Sequence, residues 1–147
     1  MRAGLIWNDL GIEYSPHVES LMKHSTINVI LVEDSRRVRE SVKQMLSEIA
    51  GVVISGEFSA AKEAIKGIDR LHPDLVILDI GLRNSNGLDV LGHVRATHPH
   101  TETIVFSDRA GADYRKRVSQ LGATHFFSKI GETEKLFSAV SALAAAH

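Results

Sequence analysis

Leu75-Val76-Ile77-Leu78-Asp79 is the most strongly apolar run of the chain, and it ends abruptly at a carboxylate. Its four apolar residues do not alternate with polar ones. A strand with one exposed face alternates, whereas a strand covered on both faces is apolar throughout. The run therefore predicts a central strand of a parallel sheet, with Asp79 at its carboxyl end.

Short apolar runs recur on both sides of this strand and alternate with segments of helical periodicity. The candidate strands are residues 29–32, 52–54, 75–78, 103–106 and 125–128, and the candidate helices carry apolar stripes from Val38 to Ile49, Ala61 to Leu71, Leu88 to Val94, Tyr114 to Leu121 and Leu136 to Leu143. Strands that alternate with helices form parallel sheets with helices on both faces. We predict an α/β fold, a doubly wound five-stranded parallel sheet.

Composition sets the class of protein. The chain has 147 residues, of which 44 % are hydrophobic, and this is enough for one domain with one core. A net charge of -1 gives no strong attraction to nucleic acid or membranes. The absence of cysteine excludes disulfides, thiol catalysis and thiolate metal sites. No apolar run approaches the roughly 18 residues of a membrane span, so we expect a cytoplasmic protein.

The first part of the chain does not follow this alternation. Glycines and a proline interrupt any long helix there, and only the stretch from His17 to His24 could form a short one. We therefore expect residues 1–26 to be a flexible N-terminal extension and residues 27–147 to be the folded domain.

Polar side chains follow four of the five candidate strands. Glu33 and Asp34 end the first strand, Asp79 the third, Ser107 the fourth and Lys129 the fifth. The carboxyl ends of parallel strands meet at one edge of the sheet, where ligands bind in such folds. We expect three carboxylates, one hydroxyl and one ammonium group to lie together there.

Three neighbouring carboxylates repel one another unless a cation joins them. A set of oxygen ligands suits Mg²⁺, or the similar Mn²⁺, better than zinc. Magnesium accepts phosphate oxygens as further ligands, which indicates phosphoryl chemistry. Asp79 could then attack a phosphoryl group, while the metal and Lys129 offset the charge of the transferred oxygens and Ser107 donates a hydrogen bond to one of them.

These residues resemble the receiver domain of bacterial response regulators over about residues 27–145. The resemblance rests on the acidic pair Glu33 and Asp34, on Asp79, on Gly87 eight residues later, on Ser107, on Gly122-Ala123, and on Lys129 with Phe126 three residues before it. It implies a flavodoxin-like strand order 2-1-3-4-5. It also implies that Asp79 is the phosphoacceptor, that Ser107 and Lys129 assist it, and that the backbone carbonyl of Gly81 completes the metal shell with the three carboxylates.

The resemblance also implies a way of signalling. A sensor histidine kinase or a histidine phosphotransfer protein would supply the phosphoryl group, and Ser107 and Phe126 would act as the switch. Their movement would alter the face between Ala110 and Ala145, which a downstream protein would bind. Catalysis would be limited to the chain's own phosphorylation and dephosphorylation. No output domain follows the last helix, so we expect output by binding another protein and no direct DNA binding. Whether the chain forms a homodimer is left open.

Three positions depart from the family pattern. Ile130 follows the lysine where the family usually has a proline in a cis peptide bond. A non-proline cis bond costs about 3 kcal/mol, so we expect a trans bond and a re-routed loop, which puts the reach of Lys129 in doubt. Asp108 replaces a small residue and could slow phosphorylation by repulsion. Arg83 replaces a common proline and should loosen the loop to Asn86 without affecting the chemistry.

Other interpretations remain open at this point. A pseudo-receiver would keep the fold as a constitutive protein-binding module without using Asp79, and Asp108 and Ile130 favour it. A phosphatase would need a second acid at the position of Gly81. A flavin-binding protein would need a hydroxyl- or glycine-rich phosphate loop after the first strand, where Glu33 and Asp34 would repel a phosphate.

Asp34 and the histidines also have ordinary structural explanations. Asp34 alone could be the N-cap of the following helix. None of the eight histidines forms a pair with metal-ligand spacing on one face, so we expect no histidine metal site.

Overall fold

The computed structural model describes residues 6, 7, 9–11, 13, 14 and 26–147. Its main sheet consists of β1 (Ile27–Val32), β2 (Val52–Phe58), β3 (Leu75–Leu78), β4 (Glu102–Ser107) and β5 (His125–Ser128). The strands are parallel and lie in the order β2-β1-β3-β4-β5. The helices between and after them are α1 (Arg36–Leu46), α2 (Ala61–Leu71), α3 (Gly87–Thr97), α4 (Ala112–Gln120) and α5 (Thr133–Ala145). The predicted fold and strand order are confirmed.

Strand β3 lies at the centre of the sheet. All four of its residues are buried, and it pairs with β1 on one side and β4 on the other. An edge strand behaves differently, as β2 shows. Strand β2 continues through Ser55-Gly56-Glu57 to Phe58, beyond the apolar run that predicted it. In the part of the chain that the structure describes, one side of β2 has no neighbouring strand, and polar residues are tolerated on such an edge.

The helices cover both faces of the sheet, each over its own hydrophobic core. On one face α2, α3 and α4 pack through Ala64, Ile68, Val90, Leu91, Val94 and Val118 against Ile30, Val76, Leu78 and Val105. On the other face α1 and α5 pack through Val42, Leu46, Leu136 and Val140 against Val29, Leu31, Ile77 and Ile104. Successive residues of a strand point to opposite faces, which is why neighbouring residues of β3 enter different cores.

Capping residues fix where the helices begin and end. Ser35 caps α1, where its Oγ accepts a hydrogen bond from the amide of Val38 at 3.3 Å. Asn86 caps α3 by accepting from the amide of Leu88 at 2.9 Å. Helix α2 ends at His72, which adopts the left-handed conformation with φ 45° and is followed by Pro73. The two N-caps thus fix where α1 and α3 begin, and the left-handed residue after α2 turns the chain toward β3.

Two short strands, Ile6–Trp7 and Glu13–Tyr14, pair in antiparallel fashion near the N-terminus. The short helix predicted from His17 to His24 lies outside the described residues. Within the part of the chain that the structure describes, no helix is long and apolar enough to cross a membrane.

Candidate functional site

The five polar residues at the strand ends come together at the carboxyl edge of the sheet. Glu33, Asp79 and Ser107 are buried there, and Lys129 reaches between the two acids. Four of the five directly follow their strand or are its last residue, and Asp34 lies one position further along the chain. The parallel register of β1, β3, β4 and β5 therefore determines their meeting point.

Asp79 is held through both of its carboxylate oxygens. Its Oδ1 accepts hydrogen bonds from the Gly81 amide at 2.9 Å and from the Ser107 hydroxyl at 2.8 Å. Its Oδ2 accepts one from Lys129 Nζ at 3.0 Å. Only 6 % of the residue is exposed. A carboxylate fixed in this way has one defined orientation and little competing water.

Lys129 contacts two acids at once. Its Nζ lies 2.9 Å from Glu33 Oε2 and 3.0 Å from Asp79 Oδ2. The described residues contain no cis peptide bond, so the predicted trans bond between Lys129 and Ile130 is confirmed. The Ile130 amide donates to the Ser128 hydroxyl at 3.1 Å, and the Ile130 side chain is 78 % exposed. The loop therefore turns outward at Ile130 and leaves the lysine in reach of the site.

The acidic pair after β1 is held from two directions. Glu33 Oε1 accepts from the Ser35 amide at 3.2 Å, and Asp34 Oδ2 accepts from the Arg83 amide at 2.9 Å. The side-chain cap of α1 is Ser35 and not Asp34. The interpretation of Asp34 as a helix cap is therefore wrong, and its carboxylate faces the loop after β3.

Arg83 contacts one of the acids of the site, and its effect on the chemistry stays a prediction. Its amide donates to Asp34, and its Nε lies 3.6 Å from the same carboxylate oxygen. A proline at this position has no amide hydrogen to donate. The departure from the family pattern thus adds a contact to one of the three acids of the site.

The charges of the site shift the pKa values of its members. Burial raises the pKa of Glu33 to about 7, and the charge of Asp79 adds to the rise while the hydrogen bond from Lys129 opposes it. Burial works in the same direction on Asp79, but hydrogen bonds from Gly81 and Lys129 outweigh it and hold the pKa of Asp79 below its usual range. Asp79 is therefore a carboxylate at neutral pH, which is the form that can act as a nucleophile.

Lys129 remains charged for the same reason. Burial lowers the pKa of Lys129, but its hydrogen bonds with Glu33 and Asp79 outweigh this effect and the pKa lies above its usual value. Three carboxylates against one ammonium leave two net negative charges when all four groups are ionised. The site is thus short of positive charge.

The donor set fits one hard divalent cation. The carboxylate oxygens of Glu33, Asp34 and Asp79 lie within 4.8 Å of one another. Opposite oxygens around Mg²⁺, with bonds of about 2.1 Å, are roughly 4.2 Å apart, so small side-chain rotations bring all three within its reach. A divalent ion would also balance the two net negative charges.

Gly87 explains how close α3 comes to the acceptor. A Cβ atom at Gly87 would lie 2.5 Å from the carbonyl oxygen of Asp79 and 2.6 Å from Cα of Ile80. Both contacts are with backbone, which cannot rotate away. The glycine eight residues after Asp79 thus lets the start of α3 pack directly against the chain that carries the acceptor.

Phe126 lies on β5, half-buried against the core on the side of α4. The guanidinium carbon of Arg115 lies 4.6 Å from the centre of its ring. Arg115 Nη2 also donates to Glu132 Oε1 at 2.9 Å. A cation over an aromatic ring stabilises the position of that ring, so α4, β5 and the start of α5 are joined through one arginine. No pattern in the sequence predicts this contact.

Asp108 and Arg109 follow Ser107, and both are exposed. The side chain of Arg109 runs past Gly81, where an added Cβ would lie 3.4 Å from Arg109 Nε and 3.4 Å from Asp79 Oδ1. A guanidinium group thus lies next to the loop that follows the acceptor. Arg109 cannot be recognised from the sequence, because an arginine after a strand is usually a solvated surface residue.

Two of the histidines lie together at one aspartate, although the sequence shows no histidine pair with metal-ligand spacing. His93 Nε2 and His98 Nε2 each lie 2.7 Å from Oδ1 of Asp69. No spacing pattern indicates this group, because Asp69 belongs to α2 and precedes His93 by 24 positions. Only the packing of α2 against α3 brings the three side chains together.

Comparison with curated proteins gives relatives with related sequences. The chain is 35 % identical over 115 residues to the transcriptional regulatory protein MalR of Bacillus subtilis, covering 78 % of this chain and 49 % of that protein. It is 32 % identical over 119 residues to a putative transcriptional regulator of Pseudomonas aeruginosa, covering 81 % of this chain and 57 % of that protein. The chain thus spans about half the length of these relatives.

Solved structures show the same fold. A LuxR-family two-component response regulator from Aurantimonas sp. SI85-9A1 superposes with a TM-score of 0.76 at 24 % identity, covering 84 % of this chain and 88 % of that one. The signal receiver domain of a putative Luxo repressor protein from Vibrio parahaemolyticus gives a TM-score of 0.74 at 27 % identity, covering 82 % and 92 %.

The sequence pattern of one family covers most of the domain. The model of the response regulator receiver domain matches residues 29–141, which extend from β1 into α5. The matched stretch contains every residue of the strand-end site. The chain therefore belongs to the response regulator receiver domain family.

Proposed function

We propose that this chain is a phosphorylation-controlled signalling module in which Asp79 accepts a phosphoryl group from a sensor histidine kinase or a histidine phosphotransfer protein. The observation that carries the proposal is the setting of Asp79. It is buried and ionised, and hydrogen bonds from Gly81, Ser107 and Lys129 hold it in one orientation. Residues 27–147 form the receiver in this proposal, residues 1–26 precede it as an extension, and the protein works in the cytoplasm.

The transfer follows from the groups around Asp79. One carboxylate oxygen of Asp79 forms a bond to phosphorus as the phosphorus–nitrogen bond of the phosphohistidine breaks. The electron pair of that bond leaves with the imidazole, which takes a proton from solvent. Lys129 can follow the transferred oxygens because it already contacts Asp79 Oδ2. Ser107, which donates to Oδ1, can donate instead to a phosphoryl oxygen.

Glu33, Asp34 and Asp79 would hold Mg²⁺ or Mn²⁺, and the Gly81 carbonyl would be a further ligand. Such an ion supplies charge stabilisation for the phosphoryl oxygens. What supports this assignment is the oxygen-only donor set within 4.8 Å and its net negative charge. The carboxylate of Asp34 would have to give up its contact with Arg83 Nε, which is already a long one at 3.6 Å.

The signal would leave through the face formed by α4, β5 and α5, between Ala110 and Ala145. Once Ser107 turns toward a phosphoryl oxygen, the space beside β4 changes and Phe126 can turn inward. That movement would release the contact between Phe126 and Arg115. A downstream protein would bind the altered face, so output is protein binding rather than catalysis.

A pseudo-receiver is the alternative, and one experiment separates the two. Amide chemical shifts are recorded by NMR with Mg²⁺ before and after addition of beryllofluoride, which mimics a phosphoryl group on a carboxylate. We expect large shifts at Ser107, Phe126 and Arg115, and none of them in the Asp79→Asn variant. An unchanged spectrum of the unsubstituted chain would favour the pseudo-receiver.

A further inference from the structure

Asp69, His93 and His98 form a second group of possible metal ligands, at the end of the domain opposite Asp79. We call it the histidine cluster. Asp69 lies in the last turn of α2 and His98 directly follows α3, so both stand where a helix leads back to the amino edge of the sheet. Asp79 lies at the carboxyl edge, beyond the four residues of β3. Strand β3, which runs between these two edges, is about 13 Å long.

The three side chains point at a common centre. The Nε2 atoms of His93 and His98 both lie 2.7 Å from the same oxygen, Oδ1 of Asp69. The side chains of His93 and His98 are 24 % and 11 % exposed, and that of Asp69 is 49 % exposed. The cluster is therefore open on one side, where the carboxylate meets solvent, and closed on the side of the imidazoles.

The backbone fixes these ligands before any ion binds. Asp69 and His93 lie within regular helices. The His98 amide donates to the Val94 carbonyl at 2.8 Å, and the His98 carbonyl accepts from the Thr101 amide at 3.0 Å. Ligands on such elements lose little conformational freedom on binding, which favours affinity.

We propose that the histidine cluster binds a borderline divalent transition metal, Zn²⁺ being the principal candidate, through His93 Nε2, His98 Nε2 and the carboxylate of Asp69. Two imidazoles and one carboxylate are a common set of protein ligands for zinc, and water would fill the remaining position. Mg²⁺ and Ca²⁺ prefer oxygen ligands, so the cluster differs in selectivity from the carboxylates around Asp79.

The geometry needs only a small adjustment. Ligand atoms about 2.0 Å from a tetrahedral zinc ion are roughly 3.3 Å apart. Each nitrogen therefore has to move about 0.6 Å away from the carboxylate oxygen, because the contact is now 2.7 Å. Rotation of the exposed Asp69 side chain and of the two imidazoles provides this adjustment, since the three ligand atoms lie within 4.8 Å of one another. The bound ion would tie the end of α2 to α3.

Zinc affinity is the test, measured on the full chain by competition with a chromogenic chelator in buffer that contains Mg²⁺. We expect one zinc ion per chain. Each of Asp69→Asn, His93→Ala and His98→Ala should weaken the affinity about 100-fold, since even partners of zinc ligands contribute 10- to 100-fold. His125→Ala removes an exposed histidine from β5 and should leave the affinity unchanged.

Two further measurements keep the result interpretable. Circular dichroism of each variant without metal shows whether the fold is kept, and the ring ¹⁵N shifts of His93 and His98 report directly on Nε2 ligation in the unsubstituted chain. Zinc binding that survives all three substitutions, equal loss in His125→Ala, or Nε2 shifts that zinc does not change would each overturn the proposal. The strand-end carboxylates or general histidine binding would then hold the metal, and the proposed role of Asp79 would be unaffected.

Discussion

Lys129 keeps its contacts with Glu33 and Asp79 although isoleucine follows it instead of the usual proline. The trans peptide bond carries the chain outward at Ile130, and the Ser128 hydroxyl accepts the Ile130 amide at 3.1 Å. A long, flexible side chain can still reach its partners from such a backbone. Ile130, which put the reach of Lys129 in doubt, therefore leaves both ion pairs of the lysine in place.

Asp108 is the departure that bears most directly on rate. It is exposed and directly follows Ser107, whose hydroxyl contacts Asp79, so we expect its negative charge to repel an incoming phosphoryl group. We expect Asp108→Ala to be phosphorylated faster by acetyl phosphate, on the order of threefold at low ionic strength and less at high salt. Asp89→Ala, which removes an exposed acid from α3, is the matched control. Equal rates for all three proteins would mean that Asp108 does not limit phosphorylation.

Among the secondary-structure elements, α3 depends on a glycine, Gly87, for its position. Gly87 is the first residue of α3, and a Cβ atom there would collide with the backbone of Asp79 and Ile80. A Cβ atom at Gly92, in the same helix, would enter open space. The two glycines thus have different reasons to be there. One permits a close approach, and the other merely lowers helix propensity.

Substitution of each glycine by alanine separates these roles. Gly87→Ala should lower the free energy of unfolding by about 2–3 kcal/mol, because its methyl group cannot avoid the backbone atoms at 2.5 Å and 2.6 Å. Gly92→Ala should instead raise it by about 0.5–1 kcal/mol. Urea denaturation measures both values. Similar effects of the two substitutions would contradict the close approach.

Helices α4 and α5 meet through Glu132. Its carboxylate accepts hydrogen bonds from the Ser128 amide at 2.9 Å and from Arg115 at 2.9 Å, and Lys135 lies 3.0 Å away. The backbone hydrogen bond from Ser128, together with the bonds from Arg115 and Lys135, lowers the pKa of Glu132 from 4.5 to about 2. Because the pKa is lower in the folded chain, ionised Glu132 stabilises the fold above its unfolded pKa.

This stabilisation should disappear in acid. We expect Glu132→Gln to unfold at a lower temperature than the unsubstituted chain near neutral pH, and the difference to shrink as pH falls from about 5 to about 2. Glu134→Gln, an exposed neighbour on α5, should show no such trend. Thermal melts followed by circular dichroism between these pH values decide the point. A difference that does not depend on pH would show that Glu132 acts by shape and not by charge.

At the scale of the whole molecule, the sheet and one of its edges were predictable from the sequence. Apolar runs such as residues 75–78 identify buried strands, and parallel strands necessarily bring their carboxyl ends together, so Asp79, Ser107 and Lys129 could be assigned to one site. Both inferences depend on local pattern and on topology, which a single sequence carries.

Contacts between separate helices and loops could not be predicted in this way. Asp69 meets His93 and His98 only because α2 packs beside α3, and Arg83 meets Asp34 across 49 positions of sequence. Arg115 contacts Phe126 from another element. Such contacts depend on the exact rotation of each helix about its axis and on side-chain rotamers. The hydrophobic pattern alone does not determine either of them.

The central claim is that Asp79 is the phosphoacceptor, and the intact mass of the chain tests it most directly. The chain and its Asp79→Asn variant are incubated with acetyl phosphate, with and without Mg²⁺, and their intact masses are measured by mass spectrometry. The account predicts a gain of one phosphoryl group that requires both Asp79 and Mg²⁺. An adduct that persists in Asp79→Asn, or no adduct even when histidine kinases are supplied as donors, would contradict it.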